Sequence, residues 1–460
     1  MELDWDHCYH LISARDARYD GLFYTGVTTT GIYCRPTCPA RTPKRANVRF
    51  FRSSAEAKRN GFRPCLRCRP ELAPESFSFQ EPSGVLARGL NLIAEGALDE
   101  APLSALATRL NVSDRHLRRL FDKHLGAAPS EVASARRLEA AKRLLDQTSM
   151  SMTEVAFASG FSSLRRFNQA FSSTYGCPPS RLRGQARSDR GLTLRLGWRG
   201  DYDWAWLWQY LGARAIGGLE TVRAGLYRRL FRVEGHLCAV EVTPRQNHLL
   251  VRLEGELQGP ALAAAVRSVS LRVSRLFDLA FDPLCLAGLS QDALVGRWLP
   301  GIRVPACWDG FEMAVRAVLG QQVSVAAATT ICGRVVERFG GPGEFPKPEV
   351  LAEAPLEEVG LPGKRAACLR GLAARVAEGQ LNLDSSLSEQ DLEGLPGIGP
   401  WTRSYLAMRV GRQPNAFPAG DLVLRKMAGN LTGRQLEQRS ADWQPWRAYA
   451  AMALWKGATQ

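Results

Sequence analysis

The chain has 460 residues, of which 45% are hydrophobic, and its formal net charge at pH 7 is +15. The length suffices for about three or four domains, and the absence of any long apolar stretch excludes a membrane-embedded protein. The positive surplus suits a polyanion, and alone it fits RNA or an anionic membrane as well as DNA. Residues 1–6 place no basic cluster before an apolar segment, so we expect an intracellular protein.

Cysteine spacing is the first specific signal along the chain. Two close pairs, Cys34-x3-Cys38 and Cys65-x2-Cys68, are separated by 26 residues. This spacing predicts a tetrahedral site for one zinc ion, whose commonest use is purely structural. Residues 1–70 also carry 13 Lys and Arg against 6 Asp and Glu, a net +7, so the positive surplus is strongest here. The remaining cysteines are predicted to be core residues or free thiols of a reducing compartment: Cys8, Cys177, Cys238, Cys285, Cys307, Cys332 and Cys368.

The residues around these pairs point beyond a structural role. Residues 28–41, TTTGIYCRPTCPAR, and 61–68, GFRPCLRC, closely resemble the N-terminal domain of the Ada regulatory protein, and the match covers most of residues 1–72. The resemblance implies that Cys34 removes a methyl group from a DNA phosphotriester and keeps it. Zinc would hold the thiol deprotonated, and the uncharged phosphotriester would not repel it. Methylation would reduce the charge of the zinc site from minus two to minus one and so weaken repulsion from DNA phosphates.

An internal repeat follows the zinc-binding segment. Residues 103–121 predict a helix, a turn and a capped second helix, and the same pattern recurs about 50 residues later, from Glu154 to Phe171. A linking helix from Arg137 to Leu145 would space two helix-turn-helix units so that both second helices enter successive major grooves of DNA. The alternative is two ordinary helical pairs with solvated arginines.

The repeat, ending at residues 176–181, resembles the AraC-type DNA-binding domain. The resemblance implies a sequence-specific regulator whose partners are promoter DNA and RNA polymerase. The polar side chains expected to contact DNA lie on the second helix of each unit: Arg115, His116, Arg118, Arg119, Arg165, Arg166, Asn168 and Gln169.

Two stretches predict linkers that let each module move, from Pro70 to Gly84 and from Arg183 to Gly191. From Leu192 to about Pro283, alternating runs such as residues 192–196 and 251–254 predict half-buried strands with helices between them, which is an α+β segment. Beyond it, helices continue to the end of the chain, interrupted by a Gly- and Pro-rich loop at 340–348.

A Pro-Gly-Ile-Gly sequence near the C-terminus predicts a tight turn between helices. Gly397 and Gly399 flank one apolar residue, so backbone N–H groups of the turn could approach a DNA phosphate without hindrance from a Cβ. Asp421 follows in an apolar, proline-marked stretch. A carboxylate there could stabilise positive charge on a deoxyribose as its base departs, or orient the attacking water. The alternative is an ordinary turn with Asp421 as a helix N-cap.

Residues 395–402, 405–409 and Asp421 look like the helix-hairpin-helix glycosylases, and closest to the DNA-3-methyladenine glycosylase II family. Residues 317–324 fit this family too, and residues 202–204 and 274–279 resemble its N-terminal domain. By that resemblance Asp421 is the catalytic acid, and Trp401, Tyr405 and Trp455 line the base pocket. Aromatic walls would stack an electron-poor, cationic purine after it is flipped from the duplex. For any one of these rings, core filler is the alternative.

Two absences narrow the expected chemistry. The lysine of lyase-competent relatives is matched by Trp401, which forms no Schiff base, so a monofunctional glycosylase is expected. No cysteine follows Cys368, so the iron–sulfur loop of some relatives cannot form. Close relatives carry an acid where this chain has Gly420, and an apolar wedge where it has Gln322, which we expect to contact DNA. These departures bear on substrate range and base flipping.

The sequence therefore predicts a multidomain, mainly α protein. Its parts are a small α/β zinc-binding methyl-acceptor module (1–78), an all-α double helix-turn-helix domain (82–184), an α+β sheet subdomain (188–290) and an all-α helix-hairpin-helix glycosylase domain (291–460). We expect a cytoplasmic, bacterial nucleoid-associated protein with no membrane partner. It would excise alkylated bases such as 3-methyladenine from double-stranded DNA, sense methylphosphotriesters and activate transcription. The alternatives are a non-catalytic transcription factor that uses the hairpin region only to bind DNA, and two activities fused without coupling.

Overall fold

The computed structural model describes residues 3–73, 84–184, 192–223, 225–384 and 387–459. The interiors of the two predicted linkers, 70–84 and 183–191, lie outside these residues. The described chain forms helices and strands in four successive groups, mainly helical, as predicted. None of its described helices combines the length and the apolar character needed to cross a bilayer.

The N-terminal group is a small sheet flanked by two helices, which we call the zinc module. Its strands lie in the order β3-β1-β2-β4, and only β2 and β4 run parallel. That parallel pairing carries the end of β2 next to the residues that follow β4, where the second cysteine pair begins. The elements are α1 (Trp5–Ala14), β1 (Tyr24–Val27), β2 (Ile32–Cys34), β3 (Val48–Phe51), α2 (Ser54–Arg59) and β4 (Arg63–Pro64).

Two helix-turn-helix units form the second group, as predicted. The Ser113 and Ser163 side chains cap the second helix of each unit by accepting hydrogen bonds from the backbone N–H groups of His116 and Arg166. The linking helix begins at Pro129, so its predicted start at Arg137 was wrong, because proline suits a first helical turn. The helices are α3 (Gly84–Ala94), α4 (Leu103–Arg109), α5 (Asp114–Leu125), α6 (Pro129–Gln147), α7 (Met152–Ala158) and α8 (Leu164–Tyr175).

The third group is the α+β segment, which we call the sheet module. An antiparallel five-stranded sheet has the strand order β5-β9-β8-β7-β6. Along β7 and β9 buried residues alternate with mostly half-buried ones, as the sequence pattern predicted. One face of the sheet packs against α10, so its apolar side chains are removed from water. The elements are β5 (Leu192–Gly197), α9 (Trp204–Gly212), β6 (Glu220–Arg223), β7 (Leu226–Val233), β8 (His236–Pro244), β9 (His248–Glu254) and α10 (Gly259–Leu276).

The fourth group is helical and contains the predicted turn. The Gly- and Pro-rich loop separates α12 from α13 as expected. Before the turn, however, stands only a single 3-10 turn, Gln390–Leu392, where we had expected a full helix. The helices are α11 (Gly310–Leu319), α12 (Val325–Phe339), α13 (Pro348–Glu353), α14 (Gly363–Ala377), α15 (Pro400–Arg409), α16 (Leu422–Met427), α17 (Gly433–Arg439) and α18 (Arg447–Gly457).

The groups pack against one another, although the linkers had suggested independent modules. Helix α7 lies on α10, and the Glu154 carboxylate accepts a 2.8 Å hydrogen bond from the backbone N–H of Gly259 at the start of α10. The Asp99 carboxylate pairs with Arg267 of the same helix. One apolar cluster runs from α6–α8 through the sheet module to α16–α18. The helix-turn-helix and glycosylase-like parts therefore share a hydrophobic core.

Candidate functional site

The four predicted zinc ligands lie together. Their Sγ atoms are all within 4.8 Å of one another, a spacing that fits one tetrahedral Zn²⁺ with Zn–S bonds of about 2.3 Å. Cys34 ends β2, and the backbone N–H of Cys65 donates to the carbonyl of Tyr33, which brings the two pairs together. Among the described residues this is the one cluster with metal-ligand geometry. The chain binds one zinc ion through Cys34, Cys38, Cys65 and Cys68.

The four cysteine ligands differ in their exposure to solvent. Cys65 and Cys68 are buried, whereas Cys34 and Cys38 are only half-buried, so a DNA phosphotriester could reach the first pair alone. The guanidinium beside Cys34 points inward, since Nε of Arg35 donates to the Asp20 carboxylate over 2.8 Å. That contact stiffens the loop between the first two ligands and leaves phosphate contacts to other cations of the module.

Three of the other cysteines have thiols that stay protonated. Burial, with a smaller contribution from Asp4, raises the pKa of Cys8 to about 11. Burial likewise raises the pKa of Cys307 and of Cys332 to about 12. Protonated thiols are poor nucleophiles, so these three do not compete with a zinc-bound thiolate for a methyl group.

The predicted DNA-contacting side chains of α5 and α8 face outward. Leu117 and Phe121 of α5, and Phe167 and Phe171 of α8, point into the core, which turns the opposite face of each helix to solvent. Among the eight predicted residues, His116 is half-exposed. The other seven are exposed: Arg115, Arg118, Arg119, Arg165, Arg166, Asn168 and Gln169. Both recognition surfaces are thus available to DNA.

The two positions in the turn need glycine for different reasons. Gly397 has φ +77°, and a Cβ there would lie 2.6 Å from the Cys368 Sγ atom, so the fold itself needs glycine. Gly399 has φ −80° and caps α15, and nothing lies within 4 Å of its would-be Cβ. Both are exposed. The space at Gly399 is free for an approaching phosphate.

The loop bearing Gln322 is tied to this turn. The Gln321 side-chain amide donates to the carbonyl of Gly397 over 2.9 Å and to the Thr402 hydroxyl over 3.1 Å. Gln322 itself is exposed with φ +58°. We had singled out Gln322 but missed the structural role of Gln321, because the turn that its side chain bonds to lies 76 residues further along the chain.

Asp421 lies at the N-terminus of α16 and accepts four hydrogen bonds. Its Oδ1 atom accepts from the backbone N–H groups of Val423 and Leu424, at 2.9 and 3.0 Å, which makes it the N-cap that we weighed as an alternative. The indole of Trp401 donates to Oδ2 over 2.9 Å, and the indole of Trp455 donates to Oδ1 over 3.2 Å. The carboxylate is therefore both a helix cap and a fixed wall of an aromatic recess.

The three predicted pocket aromatics lie in contact. Trp401 and Tyr405 stack with centroids 5.1 Å apart and an angle of 8°, and Trp455 meets Tyr405 edge-on at 6.2 Å. All three are half-buried rather than core residues. Tyr405 packs against two large apolar clusters, the one that runs from α6–α8 to α16–α18 and the one built around α11–α15, so it lies at the boundary between them.

Sequence reasoning missed the residue behind Tyr405. Arg409 is only 2% exposed, and its Nη1 atom donates to the Tyr405 hydroxyl over 2.7 Å and to the hydroxyl of Tyr210 on α9. The signal was the spacing of Trp401, Tyr405 and Arg409 at intervals of four, which places them on one face of α15. Tyr210 lies in the sheet module, so this contact joins the recess to that module.

Four protein-family models match successive parts of the chain. They are the metal binding domain of Ada at 7–71, a helix-turn-helix domain at 106–185, the AlkA N-terminal domain at 193–309 and the HhH-GPD superfamily base excision DNA repair protein at 315–440. The chain is 39% identical to the "probable bifunctional transcriptional activator/DNA repair enzyme AlkA" of Mycobacterium tuberculosis, over 99% of this chain and 97% of that protein. The chain belongs to this family of bifunctional proteins.

Two further relatives match separate halves. DNA-3-methyladenine glycosylase 2 of Escherichia coli is 34% identical over 56% of this chain and 95% of its own length. The bifunctional transcriptional activator/DNA repair enzyme AdaA of Bacillus subtilis is 31% identical over 41% of this chain and 87% of its own length. The family resemblances inferred from the sequence are confirmed, and they cover the chain in the predicted order.

Proposed function

We propose that the chain excises alkylated bases such as 3-methyladenine from double-stranded DNA by hydrolysing the N-glycosidic bond. The observation that carries this proposal is the Asp421 carboxylate, fixed by two indole N–H groups beside a half-buried aromatic stack. A flipped cationic base would stack on Trp401 and Tyr405, and Asp421 would face the sugar from which it departs. The positive charge that develops on the deoxyribose would then lie next to a fixed anion.

Binding without cleavage is the competing function, and the same carboxylate disfavours it. A module that only grips the DNA backbone needs the turn around Gly397 and Gly399, but an anion beside it would repel phosphates. A preorganised carboxylate is useful there if positive charge forms during the reaction. No lysine is available at Trp401 to attack the sugar, which supports water as the nucleophile.

Base release from methylated duplex DNA tests this function. Asp421→Asn keeps the helix cap, because asparagine caps as well as aspartate, but removes the charge. We expect its rate of base release to fall by at least about a hundredfold, in line with the loss of one preorganised electrostatic group. Asp4→Asn, which changes the cap of α1 in the zinc module, is the matched control and should release bases at the wild-type rate. Equal rates for wild type and Asp421→Asn would remove Asp421 from the mechanism.

We further propose that Cys34 accepts one methyl group irreversibly from a DNA phosphotriester, and that the modified protein activates transcription at promoter DNA through contact with RNA polymerase. In the transfer, the thiolate sulfur forms a bond to the methyl carbon while the methyl–oxygen bond breaks, and the phosphodiester anion leaves. The half-exposure of Cys34 and the exposed cations of α5 and α8 support this assignment. The proposal also includes a cytoplasmic location. It divides the chain into four domains with the limits 1–78, 82–184, 188–290 and 291–460.

Mass spectrometry of peptides from the full-length protein, digested after incubation with phosphotriester DNA, tests the transfer. We expect one added methyl on the peptide that contains Cys34 and none on the peptide that contains Cys8, whose thiol is buried and protonated. Methyl on Cys38 instead would reassign the acceptor, and an unmodified protein would return the zinc to a structural role.

A further inference from the structure

Arg409 is a buried cation whose hydrogen bonds all go to uncharged oxygens. Its Nε atom donates to the carbonyl of Pro305, Nη2 to that of Ala306 over 3.3 Å, and Nη1 to the hydroxyls of Tyr210 and Tyr405. No ion pair among the described residues includes it. Arginine stays protonated in proteins, so its charge is held next to the base recess without a neutralising carboxylate.

Such an arrangement is energetically costly, because a buried charge is normally paired. Arg303 is a second buried guanidinium in this chain whose hydrogen bonds go to backbone carbonyls, whereas another buried arginine follows the pairing rule. Arg229, 3% exposed, pairs with Glu220 over 2.9 Å and with Glu312. Arg409 is equally buried and has two tyrosine hydroxyls where Arg229 has two carboxylates.

The position of Arg409 relative to Asp421 is set by α15. Trp401, Tyr405 and Arg409 follow one another on one face, and at 1.5 Å per residue the first and last are about 12 Å apart along the axis. Trp401 touches Asp421, while the guanidinium lies 5.4 Å from the Tyr405 ring centre at the other end. The stack of Trp401 and Tyr405 thus has an anion at one end and a cation at the other.

We propose that Arg409 is a positioning residue for base excision, which fixes the Tyr405 ring against Trp401 and directs its positive charge toward the departing base. This inference rests on the proposed glycosylase function. In that reaction the N-glycosidic bond breaks and its electron pair leaves with the base, while a water oxygen bonds to C1′ of the sugar and releases a proton to solvent. Negative charge moves from the sugar toward the base, and positive charge develops on the sugar. The field between the anion of Asp421 and the cation of Arg409 favours that movement.

The charges around Tyr210 agree with this arrangement. Burial alone would raise the pKa of Tyr210, but the guanidinium groups of Arg409 and Arg214 outweigh burial and leave it lowered. Burial raises the pKa of Tyr405, which therefore stays a neutral phenol. Both hydroxyl oxygens accept from Arg409, so each ring is held by its polar end.

The proposal predicts an effect on the chemical step rather than on binding. Arg409→Met should lower kcat by about tenfold or more, as expected for loss of a charged hydrogen bond near the reacting group. Its KM for a cationic base should not rise, because the lost charge repels that base in the ground state. Arg409→Lys keeps the charge and should recover part of kcat. Arg303→Met, which removes another buried guanidinium bound to backbone carbonyls, should leave kcat unchanged.

The experiment measures kcat and KM on the full-length protein with duplexes that contain 7-methylguanine, a cationic base, or hypoxanthine, an uncharged one. Tyr405→Phe and the double variant with Arg409→Met complete a cycle, in which the Arg409 substitution should cost less once the hydroxyl is gone. Tyr405→Phe and Tyr210→Phe also serve if Arg409→Met does not fold, and each should lower kcat. If the wild type releases no base, the glycosylase function fails. If it releases base and all these variants match its kcat, Arg409 has no such role.

Discussion

At the scale of single residues, Asp421 shows that two interpretations of one position can both hold. It caps α16 through Oδ1, and both of its oxygens bond to indoles of the aromatic recess. The cap fixes the position of the carboxylate. Without such hydrogen bonds, rotation about the side-chain bonds would leave that position variable. Helix capping and the proposed chemistry are therefore served by the same geometry.

This dual role predicts different effects for two substitutions of Asp421. Asp421→Ala removes the cap and should lower the free energy of unfolding by about 0.5 to 2 kcal/mol, while Asp421→Asn should leave it nearly unchanged. Both should lose base release. Denaturant unfolding followed beside the activity assay checks the pair. A normal stability for Asp421→Ala would mean that the cap contributes little.

The turn glycines allow a second comparison. Gly397→Ala forces a positive φ on alanine and a clash with Cys368, so unfolding free energy should fall by about 1 to 2 kcal/mol or more. Gly399→Ala meets no neighbouring atom and should fold normally, yet its methyl group would obstruct a phosphate. Unfolding curves and binding to duplex DNA separate the two cases. Full DNA affinity of Gly399→Ala would place the phosphate elsewhere.

At the scale of elements, we expect the fold of the zinc module to depend on its metal. Its fourth strand is two residues long, and β2 reaches it through a parallel pairing that short strands rarely sustain alone. The metal would supply the missing connection, since its four ligands come from β2, the following loop and the residues after β4. The apolar clusters of this module are also small.

Chelation of zinc should therefore unfold this module while the recess at Asp421 persists. We expect fast amide hydrogen exchange across β1–β4 and loss of methyl transfer, with base release kept within about twofold of the untreated protein because its side chains touch no zinc ligand. Restoring Zn²⁺ should reverse the exchange. Loss of base release on chelation, recovered with the metal, would instead show that the modules depend on each other.

At the scale of the whole molecule, the contact of α7 with α10 joins DNA recognition to the glycosylase-like part. Glu154 makes the contact polar as well as apolar, since its carboxylate accepts from Ser151 N–H over 2.7 Å and from Gly259 N–H over 2.8 Å. Partial burial acts to raise its pKa, but these hydrogen bonds outweigh it and hold the pKa below the usual 4.5. Such bonds favour the ionised carboxylate.

The lowered pKa sets a pH dependence for this contact. The stabilisation by Glu154 is fully present above the unfolded pKa of 4.5 and is lost as the pH falls through the lower, folded value. Wild type should therefore be more stable than Glu154→Gln near neutral pH, and the difference should shrink below about pH 4.5. Thermal unfolding of both proteins from pH 7 to pH 3 checks this. A constant difference would assign the effect to packing.

Much of this organisation could be predicted from the sequence. The zinc ligands followed from spacing, because few folds bring two such pairs together without a metal, and the order of modules followed from family resemblance. The catalytic role of Asp421 stays a prediction. The partners of Arg409 could not be foreseen, since Tyr210 and Pro305 are far away along the chain and meet it only through packing. The contact of α7 with α10 was equally hidden, because linker composition says nothing about surfaces that fit together.

Cys34 lies in the zinc module and Asp421 lies at the start of α16, so one residue can be used up while the other stays intact. In the proposed reactions, a thioether formed at Cys34 would not revert, whereas Asp421 would be regenerated at the end of every turnover. A copy whose sulfur has been spent would go on clearing lesions with an intact recess. The fraction of spent copies would then record the accumulated dose of alkylating agent, and dilution by cell growth would erase that record.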